Sequence, residues 1–272
     1  MPFREILNRL LTPRERIIWE AGLARHARDV HKTADLIHQG ERPQALHVVL
    51  GGWAQKYKQL PDGRRQIVGL FLPGQICGLD LFTIGRYDHS LAAVRQLSIA
   101  EIPRAEICDL LRRCPNLSRI FCWSELVEIA IHREWMASIG QRNALERIAH
   151  LMCEMFVRQG GQRTNNGCEF LLTQGQIAEA TGLTQVHVNR TIQELRCACG
   201  MELRQRRLHI PHFDALASLA CFDAHYLHLG EAGVIADHAK PLFDAWSGDL
   251  ATPCTGTGDI ILPGVLIDAG KY

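Results

Sequence analysis

The sequence predicts an α+β protein with an N-terminal antiparallel β-roll or jelly roll, a long dimerisation helix and a C-terminal winged helix-turn-helix. Three observations support this fold class. Short apolar runs separated by turn residues come first, a stretch without Gly or Pro spans residues 116–139, and two short helices with capping signals follow. The corresponding units are residues 1–114, 115–140, 141–229 and 230–272.

The N-terminal unit combines a helical preamble with a series of short strands. Residues 4–31 carry apolar side chains at helical spacing, and from Ile37 the pattern changes to brief apolar runs. Turn residues such as Pro73 and Gly74 separate these runs, which favours a small antiparallel barrel or sandwich. A helix near Leu110 closes the unit. The predicted strands lie within residues 46–50, 53–60, 66–72, 76–81 and 91–102.

The stretch 115–139 carries apolar residues at three- and four-residue intervals, which is typical of an amphipathic helix. A helix of this size is about 36 Å long at 1.5 Å per residue. We expect it to pair with a second copy, because a two-fold dimer presents two recognition helices to a palindromic site. Burial within a single chain is the alternative. The residues assigned to the dimer contact are Trp123, Val127, Ala130 and Ile131.

Gly140 marks the predicted end of the long helix. Asn143 and Glu146 resemble a capping box that begins the next helix. We therefore interpret the region around Gly140 as a hinge about which the two halves of the protein move. Residues 160–167 predict a flexible loop before a strand at Phe170.

Two short helices with a tight turn between them are predicted in residues 172–195. Thr173 and Gln176 form a capping-box signature at the start of the first helix. Gly182 suits the left-handed conformation past its end, and Thr184 can cap the second helix. This arrangement is typical of a helix-turn-helix.

The second of these helices has one apolar and one polar face. Val188, Ile192 and Leu195 fall on one side at spacings of four and three. Side chains that can read base edges in the major groove of double-stranded DNA lie on the other side. An ordinary helical hairpin in a larger fold is the alternative. The outward residues are Gln185, Val186, Asn189, Arg190 and Gln193.

A basic hairpin follows Gly200 and predicts a wing. Arg204, Arg206 and Arg207 cluster at its tip, where arginines can contact DNA phosphates, although a solvated charged turn is the alternative. Residues 142–212 contain nine Arg, six Glu and neither Lys nor Asp, a local balance of +3 within a chain of net charge +1. Residues 230–272 contain six acidic residues and two Lys, and we read them as a weakly ordered acidic tail.

Composition and motifs argue against several other classes of protein. No apolar run approaches the length of a membrane span, and the N-terminal residues lack the uninterrupted apolar core of a signal peptide. We therefore expect a cytoplasmic protein without membrane contact. The ten Cys occur without a CxxC pair and the 13 His are scattered, so we expect reduced thiols and no metal site. The chain lacks a nucleophile elbow, a phosphate loop and a dinucleotide fingerprint. A redox- or metal-dependent enzyme that uses the Cys and His content stays an alternative.

Three segments resemble the Crp/Fnr family of bacterial transcription regulators, in particular a branch common in alphaproteobacteria whose members often have no assigned signal. They are LTQGQIAEATGLTQVHVNRTIQELR, DGRRQIVGLFLPGQICGLD and REWMASIGQRNALERIAHLMCE. The resemblance covers residues 36–229. It implies a cyclic-nucleotide-binding-like sensor domain and a homodimeric regulator that binds a palindromic operator, with RNA polymerase as a further expected partner.

The resemblance also assigns residues to DNA. Val186 stands where well-known members often have Glu, so it cannot accept a hydrogen bond from cytosine but can contact a thymine methyl. We therefore expect an operator that differs from the familiar half-site. The base-reading residues are Gln185, Val186, Asn189 and Arg190. The residues expected on the DNA backbone are Thr173, Gln174, Thr184, His187, Arg204, Arg206 and Arg207.

The sensor end departs from the best-known relatives. Cyclic-nucleotide binders use an acidic residue for the ribose and an Arg for the phosphate, whereas Asp88 in the equivalent stretch here would repel phosphate. Iron–sulfur members carry an N-terminal cysteine cluster, whereas the first Cys here is Cys77. We therefore infer no cofactor. Three alternatives stay open: haem ligation, a redox-responsive sensor, and a constitutive regulator with a degenerate sensor. The effector-pocket positions are Gly78, Leu79, Asp80, Asp88, His89 and Ser90.

Overall fold

The computed structural model describes residues 2–31, 34–82, 84–161 and 166–229. The predicted acidic tail, residues 230–272, lies outside the described residues. Within them, no helix is long and apolar enough to cross a membrane.

Two helices open the chain, α1 (Pro2–Leu10) and α2 (Pro13–Arg25). A capping box begins α2, because the Thr12 side chain accepts from the Glu15 N–H while the Glu15 carboxylate accepts from the Thr12 N–H. The prediction of helical structure up to residue 31 is wrong, since strand β1 (Ala27–Val30) follows directly. Its residues pair with a neighbouring strand, and only Val30 is buried.

Two four-stranded antiparallel sheets form the β-roll, in the orders β1-β8-β3-β6 and β2-β7-β4-β5. Buried side chains such as Val49, Leu91 and Ile99 form a core cluster that draws on strands of both sheets. The predicted strand 76–81 is too long, because the chain turns at Gly78 with φ +85° and continues as a 3-10 helix. The remaining strands are β2 (Asp35–Ile37), β3 (Ala45–Gly51), β4 (Ala54–Gln59), β5 (Arg65–Phe71), β6 (Ile76–Cys77), β7 (Ser90–Ala93) and β8 (Leu97–Pro103).

Helix α3 (Arg104–Arg113) closes the β-roll, and the long helix α4 (Asn116–Gln141) follows it. The end of the long helix, predicted at Gly140, lies one residue further on. Gly140 lies within α4, which ends one residue later at Gln141. The interruption itself falls at Arg142, whose backbone is extended with φ −77° and ψ 142°.

The C-terminal unit contains a three-stranded sheet, order β10-β11-β9, beside a helical core. The strand predicted at Phe170 lies just before that residue, at β9. The elements are α5 (Ala144–Arg158), β9 (Gly167–Glu169), α6 (Gln174–Thr181), α7 (Gln185–Cys199), β10 (Glu202–Arg204), β11 (Arg207–His209), α8 (Phe213–Ala220) and a 3-10 helix (Ala224–Leu227).

A buried carboxylate joins the long helix, the β-roll and the C-terminal unit. The fully buried Glu154 of α5 accepts hydrogen bonds from Trp135 Nε1 of α4, from Tyr226 Oη and from Arg158 Nη1, each at 2.8 Å. Arg158 Nη2 then donates to the β-roll, at 2.5 Å to Leu70 O and at 2.7 Å to Gln75 Oε1. Burial and the neighbouring Glu154 raise the pKa of Tyr226, which therefore stays a hydrogen-bond donor at neutral pH.

Helix α6 also contacts the β-roll of its own chain. The Gln66 side chain donates to Ala180 O at 3.2 Å, and the Gln176 amide meets the Gln55 amide at 3.2 Å. These polar contacts and the buried cluster around Glu154 hold the C-terminal unit against both earlier parts of the chain.

Replacing Gly140 with Ala tests whether this residue is part of a helix or a hinge. A Cβ at this position meets no atom within 4 Å, so we expect Gly140→Ala to stabilise the protein by about 0.5–1 kcal/mol in chemical denaturation. Gly182→Ala is the matched control and should destabilise, because Gly182 has φ +67°. Destabilisation by Gly140→Ala would contradict the helical assignment.

Candidate nucleic-acid interface

The turn between α6 and α7 is built as the sequence predicts. Thr173 Oγ1 accepts from the Gln176 N–H at 3.2 Å, and Gln176 Oε1 accepts from the Thr173 N–H at 2.9 Å. Gly182 adopts the left-handed conformation, and its N–H donates to Ala178 O. Thr184 Oγ1 then accepts from the His187 N–H at 3.3 Å and begins α7. The two helices therefore meet in a helix-turn-helix.

The buried side of α7 fixes which residues face outward. Val188, Ile192 and Leu195 are buried in the core of the C-terminal unit. On the other side, Val186 is 81% exposed and the Arg190 side chain is 80% exposed. Two further predicted base-reading residues, Gln185 and Asn189, are also exposed.

Arg190 has a partner that the sequence reasoning did not identify. Its Nε donates to Glu194 Oε1 at 3.0 Å, one helical turn further along α7. The pair is exposed, and such pairs contribute only about 0.3–0.5 kcal/mol, so it can be exchanged for another acceptor at little cost. The spacing of four residues between Arg190 and Glu194 was the available signal.

The wing is a tight hairpin between β10 and β11. Gln205 and Arg206 at its tip have φ values of +48° and +63°, the pattern of a two-residue turn with both central residues left-handed. Arg204 and Arg207 face each other across the antiparallel pair. All three arginines are exposed, so their guanidinium groups can meet phosphate oxygens.

The residues predicted on the DNA backbone within the helix-turn-helix lie around its two helix starts. Thr173, Thr184 and His187 are exposed, and Gln174 is half-buried at the first position of α6. The N-terminus of a helix carries unpaired N–H groups and a partial positive charge, so these positions suit a phosphate.

Most of the predicted effector-pocket residues are engaged within the protein. Asp88 contacts His89 Nδ1 at 2.8 Å and Lys58 Nζ at 3.3 Å, and these two partners lower the pKa of its carboxyl group. Ser90 Oγ accepts from the Gln39 N–H at 3.0 Å. Gly78 lies beside the Tyr87 hydroxyl, Leu79 is buried, and the side chain of Asp80 lies outside the described residues.

A cavity lies elsewhere in the sensor domain, between β5 and α4. Its volume is about 30 Å³, enough for about two water molecules, and none of the six predicted effector residues contributes to the described lining. Glu128 of α4 lines it and accepts from Lys56 Nζ at 2.5 Å. The described lining is Phe3, Gly69, Leu70, Phe71, Gln75, Ile76, Ser124, Val127, Glu128, Ile131, His132 and Arg158.

The four residues predicted to form the dimer contact lie inside the protomer. Trp123, Val127 and Ile131 are part of the core cluster, and Ala130 is 9% exposed. The prediction chose the face of α4 with the strongest apolar spacing, and that face covers the chain's own core. The large apolar residues of α4 that stay exposed are Leu126, Ile129, Met136 and Ile139.

Two family models match this chain, one in its N-terminal half and one in its C-terminal half. A family model described as "Cyclic nucleotide-binding domain" matches residues 27–114, and one described as "Crp-like helix-turn-helix domain" matches residues 146–219.

Curated relatives are regulators. The chain is 26% identical to the fumarate and nitrate reduction regulatory protein of Escherichia coli over 193 residues, which cover 70% of this chain and 77% of that protein. It is 31% identical to the nitrogen fixation regulation protein FixK of Bradyrhizobium diazoefficiens over 155 residues, which cover 56% of this chain and 63% of that protein.

Solved structures share the architecture. The structure of FixK2 from Bradyrhizobium japonicum matches with a TM-score of 0.65 at 22% identity, over 73% of this chain and 98% of that one. A CooA mutant from Carboxydothermus hydrogenoformans matches with a TM-score of 0.60 at 14% identity, over 71% of this chain and 87% of that one. At these identities the similarity establishes the fold.

Proposed function

The chain belongs to the Crp/Fnr family of transcription regulators, and we propose that it reads a palindromic operator as a homodimer through α7 and the wing. The observation that carries this proposal is the exposed outward face of α7, with Arg190 and Val186 turned away from the core. Gln185 and Asn189 complete the base-reading set, because amides and guanidinium groups can meet base edges with two hydrogen bonds. The protein is a regulator and not an enzyme.

The rest of the interface supplies affinity rather than sequence selection. We assign Thr173, Gln174, Thr184 and His187 to phosphates near the helix starts. The wing arginines extend the contact along the backbone, where each neutralised phosphate releases counterions. This division of labour predicts different phenotypes for substitutions in α7 and in the wing. The wing residues are Arg204, Arg206 and Arg207.

For the dimer we propose a different face of α4 from the one that the sequence suggested. Leu126, Ile129 and Met136 are exposed, and together with Cys122 and Arg133 they follow spacings of four and three residues. Residues at that spacing line the seam of a two-stranded coiled coil, and three of these five are large and apolar. The face on which Trp123 lies holds the helix to its own protomer.

The sensor unit, residues 1–114, is proposed to respond to a signal that does not bind as a cyclic nucleotide. The carboxylate of Asp88 is 78% exposed in the stretch expected to contact a phosphate and would repel that group. Lys58, the nearby cation, is already paired with it. We propose no resident cofactor, and a purified protein with haem or iron–sulfur absorbance would contradict this. We further propose that the regulator is cytoplasmic, because bacterial transcription takes place in the cytoplasm. RNA polymerase is its proposed protein partner.

Arg190→Ala tests the reading role of α7. We expect the affinity for an operator selected from random duplexes to fall about 5- to 150-fold, with relaxed preference at one base pair in each half-site, because one base contact contributes about 1–3 kcal/mol. Fluorescence anisotropy on single-base operator variants measures both effects. Glu194→Ala is the matched control and should keep the base preference. Unchanged selectivity in Arg190→Ala would remove this residue from the reading role.

Arg206→Gln tests the wing. The affinity should fall for every sequence alike, and the slope of log K against log salt should become shallower by about 0.9 for each phosphate that the variant no longer neutralises. Arg112→Gln, an exposed arginine of α3, is the control and should leave the slope unchanged. A wild-type slope for Arg206→Gln would contradict the wing assignment.

A double substitution, Leu126→Glu with Met136→Glu, tests the dimer face. Two pairs of like charges across a coiled-coil seam oppose association, so sedimentation should report a monomer and the affinity for the full operator should fall more than tenfold. Ile17→Glu is the matched control, because Ile17 is equally exposed but lies on α2. A double variant that stays dimeric would place the interface elsewhere.

A further inference from the structure

The connection between the long helix and the DNA-binding unit is short and fully hydrogen-bonded. Helix α4 ends at Gln141 and α5 begins at Ala144, so only Arg142 and Asn143 lie between them. The Arg142 N–H donates to Ser138 O at 3.2 Å. Asn143 Oδ1 accepts from the N–H groups of the following helix start. Backbone freedom at this junction is therefore small.

One guanidinium group joins three pieces of backbone at the junction. Arg147 Nη2 donates to Ile139 O at 2.9 Å and to Arg142 O at 3.0 Å, while its Nη1 donates to Thr181 O at 2.8 Å. Ile139 lies in the last turn of α4, and Thr181 is the last residue of α6. These carbonyls lie at helix C-termini, where they lack intrahelical partners and favour a cation.

A second guanidinium group joins α4 to another part of the DNA-binding unit. Arg142 Nη2 donates to Glu134 Oε1 of α4 at 2.6 Å and to Cys221 O at 3.3 Å, and its Nε donates to Ala220 O at 3.2 Å. Ala220 is the last residue of α8. The end of α4 is thus fastened at two separate points, the end of α6 and the end of α8.

We propose that Arg147, together with Arg142, is a positioning residue that sets the angle between α4 and the helix-turn-helix. In the dimer that angle fixes the separation and tilt of the two recognition helices, and with them the spacing of half-sites that the protein accepts. This inference rests on the proposed dimeric function. The residues themselves contact protein carbonyls and need not touch DNA.

The geometry of its donors explains why position 147 requires an arginine and not a lysine. A guanidinium group presents five donors in a planar fork and can serve three carbonyl oxygens at once, whereas an ammonium group is a point charge that cannot hold the same geometry. Arg147→Lys therefore keeps the charge and removes the fork. The capping box of Asn143 and Glu146, the buried ridge of α7 and the hydrogen bond from Trp135 to Glu154 stay intact. The unit can therefore fold, while the end of α6 is held less closely to the end of α4.

Spacing selectivity tests this role. An operator selected by the wild-type protein from random duplexes is rebuilt with one or two base pairs added to or removed from its centre, and affinities are measured by anisotropy. We expect the wild type to prefer one spacing at least tenfold over its neighbours. Arg147→Lys should reduce that discrimination to about threefold or less, with wild-type base preference within each half-site. Arg112→Lys is the matched control and should keep the full discrimination.

Each other outcome contradicts a distinct claim. An equal loss of affinity at every spacing, or wild-type discrimination in Arg147→Lys, would overturn the positioning role. A wild-type protein that selects no inverted repeat would instead refute the proposed dimeric function. If Arg147→Lys loses its thermal unfolding transition, Arg142→Lys provides the same test from the second fastening point, and full spacing discrimination in that variant would overturn the proposal.

Discussion

The carboxylate of Glu154 is the group on which the mutual arrangement of the long helix, the β-roll and the described C-terminal unit depends. It is fully buried, and a buried charge is tolerated only when hydrogen bonds replace its hydration. Its three donors come from the long helix, from α5 and from the segment that follows α8, and Arg158 carries the connection onward to Leu70 of the β-roll. Moving any one of these parts would leave a buried charge or donor unpaired, so they hold one mutual arrangement.

The proposed DNA-reading surface follows from a simpler rule. Helix α7 can bury Val188, Ile192 and Leu195 only by turning its other side to solvent, and that side carries Arg190 and Val186. The tight turn at Gly182 keeps α6 next to α7, and the tight turn at the tip of the wing keeps β10 paired with β11 directly after α7. Function at this end of the protein is therefore largely a consequence of local helix geometry.

The sequence predicted those parts whose signals are local. The capping boxes at Thr173 and Asn143 and the wing hairpin depend on a few neighbouring residues, and they form as expected. The sequence could not tell which apolar stripe of α4 faces its own core, because Trp123 and Leu126 both repeat at helical spacing and only the packed β-roll decides between them. It also gave no sign of the roles of Arg147 and Arg158, whose most distant partners lie 34 and 88 residues away. The end of the long helix lies one residue beyond Gly140, because helix propensity alone does not place a helix end to the residue.

The ion pair between Arg190 and Glu194 affects what the proposed base contact costs. In the free protein the guanidinium group is held by a neighbour one turn along α7. Under the proposed reading role, a guanine offers two acceptors, so the arginine gives up one weak, exposed contact for a bidentate one. The side chain is partly ordered along the helix before it binds, which lowers the conformational entropy that base contact removes.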